Sequence, residues 1–126
     1  MNKKLTKELN VPIVGCMSHL LNLQTRDFID SSGFITLTNK INNIMKSIKN
    51  SHINAALLKE KTNLKAVIRQ ETRWLSIFNM VDRYIKLHPI IVNIKFNNLK
   101  DEEYINNTEF EQVINLKNSL LLLQEL

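Results

Sequence analysis

A chain of 126 residues, 44% apolar and 23% charged, is long enough for one domain with a core and too apolar to be disordered. Its formal charge of +5 and pI near 9.4 favour polyanionic partners, and the charge is uneven: residues 1–75 hold 12 basic and 5 acidic side chains, residues 76–126 hold 5 and 7. A single cysteine excludes an internal disulfide and fits a nuclear or cytoplasmic setting, and no apolar run approaches the roughly 18 residues of a membrane helix.

In chain order, lysines at 3, 4 and 7 precede "VPIVGC", which is too short and too soon interrupted for a secretory signal. Val11, Ile13 and Val14 predict a short strand ending at Gly15 or Cys16, and no sheet neighbour follows it. "MSHLLNLQTRDFID" then predicts a helix with Met17, Leu20, Leu21 and Phe28 on one stripe, stopped at Gly33. Residues 38–49 place Ile41, Ile44, Met45 and Ile48 at helical spacing, and "HINAALLKEK" predicts a short helix burying Ala55, Leu57 and Leu58.

Thr72 is the expected N-cap of the next helix, with Arg73 first and Trp74 second, and Trp74, Phe78, Val81 and Ile85 on one face beside Ile77. Pro89 is expected to close that helix and open another through Ile90, Ile91, Ile94 and Phe96. Thr108 with Glu111 has the spacing of a capping box for a last helix through Val113, Leu116, Leu120 and Leu123. The expected architecture is mainly α, about six helices with one N-terminal strand.

Local motifs identify no enzyme. Cys16 and His19 are three apart on a helix's first turn, but structural zinc takes about four ligands, and His52 and His88 could complete such a set only by coincidence. A buried thiol and a backbone-bonded histidine is the favoured reading, since no third residue orients a Cys/His nucleophile pair. Asp101, Glu102 and Glu103 are adjacent in a loop, whereas hard-cation sites draw carboxylates from separate elements. The only tryptophan, Trp74, follows Arg73 at a helix start, where free N–H groups and an arginine suit phosphate and an indole suits an unpaired base. Its place on the stripe with Phe78, Val81 and Ile85 favours core packing.

The order of these segments resembles the catalytic region of hAT-superfamily DNA transposases and the host proteins derived from them. The family's C-x-x-H-x-L-N-L segment matches Cys16, His19, Leu21, Asn22 and Leu23. Its T-R-W-x-S segment matches Thr72, Arg73, Trp74 and Ser76, with Met80, Arg83 and Tyr84 following. The resemblance covers about residues 10–92. It implies the end of an RNase H-like core over residues 1–32 and a helical insertion-domain segment over 33–126. It also implies a base-stacking role for Trp74, with Arg73 beside the phosphate. Cleavage in the family uses three metal-binding acids. Two lie before the C-x-x-H segment and one lies beyond the insertion domain, and Asp27, Asp30 and Glu71 match none of these positions. The implied function is DNA binding without strand cleavage and without a cofactor, with an intact transposase or a second copy as further partners. The alternative is a helical interaction or self-association module, with no membrane partner in either case.

Overall fold

A computed structural model describes residues 11–70 and 73–125, with side chains for residues 19–70 and 73–124. The elements are α1 (Val11–Ser32), α2 (Phe34–Lys49), α3 (His52–Lys59), α4 (Trp74–Ile91), a 3-10 turn (Asp101–Glu103) and α5 (Asn107–Glu125). The protein is mainly helical, and no strand occurs among the described residues.

The expected strand over 11–16 is instead the start of α1. Without a neighbouring strand, a helix is the conformation that satisfies this backbone internally, and Pro12 is tolerated in a first turn because its missing N–H had no partner there. The buried side of α1 also differs from expectation. Thr25 and Ile29 are buried, Leu21 and Phe28 half-buried, and Leu20 is 55% exposed. Met17 lies outside the described side chains. The Thr25 hydroxyl donates to the Leu21 carbonyl at 2.8 Å, which lets a polar residue occupy the inner face.

Gly33 turns the chain between α1 and α2 with φ of 83°, a left-handed conformation that favours glycine, and Phe28 and Phe34 pack across the joint with ring centroids 5.5 Å apart. α2 then buries Ile41, Ile44, Met45 and Ile48 as their spacing predicts, and also Leu37, since the helix starts at Phe34. Ser51 caps α3, its Oγ accepting the Asn54 N–H, and the helix buries Asn54 and Leu58 while Ala55 is exposed and Leu57 half-buried.

α4 packs against α1, α2 and α5. Its N-cap is Arg73, with extended backbone, so the helix begins at Trp74; Thr72 lies outside the described residues. Trp74, Ile77, Met80, Val81, Tyr84, Leu87, His88 and Ile91 are buried, a wider face than the single stripe expected. Pro89 does not end the helix, which runs on to Ile91. Tyr84 Oη and His88 Nδ1 lie 2.8 Å apart and the His88 ring stacks on Phe110 at 3.8 Å, so this turn is held by packing although the proline supplies no N–H.

The helix expected through Ile94 and Phe96 is absent. Ile94, Phe96 and Leu99 are buried from irregular backbone, fixed by Tyr104 and Asn54. Tyr104 Oη donates to the Ile94 carbonyl and accepts the Phe96 N–H, each at 2.9 Å. Asn54 donates to the carbonyls of Ser47 and Asn97 and accepts the Asn97 N–H, tying α2, α3 and this loop together. Asn98 turns the loop with φ of 59°, which asparagine tolerates.

The capping box of α5 lies two residues before the expected pair. Asn106 Oδ1 accepts the Glu109 N–H at 2.8 Å, and Glu109 Oε1 accepts the Asn106 N–H at 3.1 Å. Lys40 adds an ion pair to the same carboxylate at 2.8 Å. Burial pushes the Glu109 carboxyl up, but the bonds from Lys40 and the Asn106 N–H outweigh it and leave its pKa lowered. Val113, Leu116 and Leu120 are buried along α5 and Leu123 is half-buried.

Candidate functional site

The two sequence motifs meet at the start of α4. Asn22, from the first motif on α1, accepts the Trp74 N–H on its Oδ1 at 3.0 Å and so caps a helix that begins 52 residues later. Arg73 is exposed beside this junction. The helix start therefore has one of its first N–H groups engaged by protein.

Trp74 is 7% exposed. Its ring stacks on Phe78, one turn on, with centroids 4.9 Å apart and planes 5° from parallel, and its Nε1–H donates to the Leu120 carbonyl of α5 at 2.7 Å. Extracting the indole would empty a large core site and break that hydrogen bond, at a cost on the order of 3–5 kcal/mol. Stacking on one base returns about 1–3 kcal/mol. In this geometry Trp74 is a core residue that carries Arg73 to the surface.

The other motif residues are dispersed or structural. Ser76 Oγ accepts the Gln70 N–H at 3.0 Å, Arg83 donates to the Lys65 carbonyl at 2.7 Å, and Met80 and Tyr84 are in the core. His19 is exposed on α1, and the side chain of Cys16 lies outside the described residues. Among the described residues, no three His, Cys, Asp or Glu side chains are grouped to hold a metal ion. His52 is exposed and His88 is buried in the α4–α5 contact, where burial lowers its pKa; burial and then Glu109 push Tyr84 upward. Of the three adjacent acids, Glu103 serves the 3-10 turn, accepting the Lys100 N–H and an Asn43 amide N–H.

A basic belt, which no single motif signals, is the other exposed feature. Residues 46–73 hold seven Lys or Arg and two acids. Lys46 and Lys49 are exposed on the last turns of α2, Lys59 and Lys61 at the end of α3, and Lys65 on the connection to α4, which also carries Arg69 and Arg73. Arg69 is anchored by its N–H, which donates to Asn42 Oδ1 at 2.9 Å. Among the described residues, the lysines at 46, 49, 59, 61 and 65 enter no ion pair. By contrast, Lys40 pairs with Glu109, and Lys86 and Lys117 pair with Asp82. Those two lysines lower the Asp82 pKa, chiefly through the Lys117 bond.

Within the belt lies a groove of about 510 Å³ between α2, α3 and the connection. Ile48, Leu58 and Ala66 contribute apolar wall, Lys49, Lys59 and Lys65 contribute charge, and no carboxylate or aromatic ring lines it.

The described helices include none long and apolar enough to cross a membrane. No protein-family model, curated protein or solved structure matches this chain.

Proposed function

We propose that this chain is a transposase-derived helical module that holds DNA by its phosphate backbone and has no strand-cleavage chemistry of its own. The observation that carries this reading is the belt of five lysines without ion-pair partners, continued by Arg69 and Arg73, with only two acids among residues 46–73. Lysine ammonium groups on an exposed strip attract phosphate by charge and counterion release, a term that carries no base specificity. The two hAT-like motifs support the parentage, and the Asn22–Trp74 hydrogen bond gives both of them one structural task, which is to set Arg73 at the surface.

Binding of a labelled 25-base-pair duplex to the purified chain, followed by anisotropy at several salt concentrations, tests the reading. Five phosphate contacts correspond to a slope of about −4.5 in log affinity against log salt. A slope near zero overturns DNA binding, and nicking with Mg²⁺ or Mn²⁺ overturns the absence of cleavage chemistry.

A second reading, self-association, has its own observation. Leu20, Leu75 and Leu122 are 55%, 61% and 64% exposed, each within two residues of the Asn22–Trp74–Leu120 junction. Three exposed leucines at one end of a helical bundle suit an apolar contact. Concentration-dependent mass in sedimentation, abolished by Leu75→Glu, would favour it.

A further inference from the structure

The connection between α3 and α4 carries a second kind of unmet demand besides charge. From Leu64 to Gln70 it has no regular secondary structure. Its side chains nevertheless alternate, because Ala66 and Ile68 pack against the core while Val67 between them does not. That period of two belongs to extended chain. In an extended chain the polar groups of alternate residues point to opposite edges. Fixed points lie at both ends of it: the Lys65 carbonyl accepts from Arg83, the Arg69 N–H donates to Asn42 and the Gln70 N–H donates to Ser76 Oγ. Between them one edge presents the N–H and C=O of Ala66 and Ile68, and among the described residues neither these four groups nor those of Val67 have a protein partner.

We propose that this edge is a docking strand for an extended acidic peptide, which adds to Ala66–Ile68 by main-chain hydrogen bonds and sets its carboxylates against Lys49, Lys59 and Lys65. The inference goes beyond DNA binding by the belt. Three lysines and no carboxylate line the adjoining groove, so the occupant is anionic. The groove has aliphatic walls and no aromatic ring, which suits peptide side chains and gives a nucleobase nothing to stack on. Donors and acceptors two residues apart on one edge match a peptide backbone, as in strand addition generally.

The test uses the full chain and a capped, fluorescein-labelled peptide of alternating Val and Glu, eight residues long. Amide hydrogen exchange at Ala66 and Ile68 should slow on adding the peptide. Ala66→Pro, which removes one donor and is compatible with an extended conformation at Lys65, should weaken peptide binding at least tenfold and leave duplex DNA binding unchanged. Unaltered exchange at both amides in the unsubstituted chain overturns the proposal, which keeps it testable even where the proline variant fails to fold. Equal peptide affinity in a folded Ala66→Pro variant also overturns it, since binding would then need only the lysines. Protection of the same amides by oligo-dT instead of the peptide would assign the edge to single-stranded nucleic acid and overturn it as well. Amide protection by the peptide alongside a failure to bind duplex DNA would sustain this proposal and sink the DNA reading.

Discussion

The start of α4 and the connection that precedes it differ in how their polar groups are satisfied. At Trp74 the backbone N–H, the indole N–H and one ring face have protein partners, in Asn22, Leu120 and Phe78. A few residues earlier, Ala66 to Ile68 leave their main-chain groups without protein partners, and the neighbouring lysines have no acids. The first region is saturated and stabilises the fold. The second keeps its bonding capacity for something outside the chain. The residue with the most conspicuous sequence signature is thus the one least available to a ligand.

Substitutions that separate stability from binding sharpen this contrast. The largest expected effect is from Trp74→Ala, which should lower unfolding free energy by about 3–5 kcal/mol. DNA affinity per folded molecule should be nearly unchanged; chemical denaturation followed by helical circular dichroism, with anisotropy on the same sample, reads both. Asn54→Ala comes next, at about 2–3 kcal/mol, because it strands the Ser47 and Asn97 groups that the amide satisfies.

A smaller effect concerns pH. Burial holds the His88 pKa below its ordinary 6.5, so the unfolded chain takes up a proton before the folded one. Its contribution to stability is full above about pH 6.5 and is lost as pH falls below that value. Melting temperatures between pH 8 and 5.5 should decline, and His88→Gln should flatten the decline over that range. The smallest effect on stability should come from Lys49→Glu with Lys59→Glu. At exposed positions these should shift stability within about 0.5 kcal/mol. Duplex affinity should nevertheless fall roughly tenfold, with a shallower salt slope by about 2.

The helical class was legible where one periodicity dominated. α2 buries the residues its spacing marks, and Gly33 stops α1 for a reason visible in the sequence, since only glycine takes φ of 83° without strain. The start of α1 was misread because β-branched Val11, Ile13 and Val14 favour extended chain locally, while the fold supplies no strand for them to pair with. Pro89 was misread as a terminator because the contacts of His88 with Tyr84 and Phe110 are tertiary and leave no local trace. The α5 capping box was misplaced by two residues because Asn106–Glu109 and Thr108–Glu111 carry the same spacing signal, and the Lys40 pair that favours the former comes from 69 residues away.

At the candidate site, Arg73 and Trp74 are legible in the sequence, but the Asn22 cap is not, because it is a hydrogen bond between residues 52 positions apart. The belt was visible only as a charge asymmetry. Its lysines come from α2, α3 and the connection, and the convergence of Lys49, Lys59 and Lys65 on one groove depends on how those elements pack.

Trp74 is the only indole, so its emission reports directly on whether the saturated region stays closed while the basic belt binds. The most direct measurement is that emission during titration with hairpin and single-stranded DNA, with anisotropy of the labelled DNA recorded in the same cuvette. Blue emission that DNA leaves unchanged is expected, while anisotropy rises and is reversed by salt. Red emission quenched by DNA would contradict it, returning Trp74 to the base-stacking role and removing it from the core.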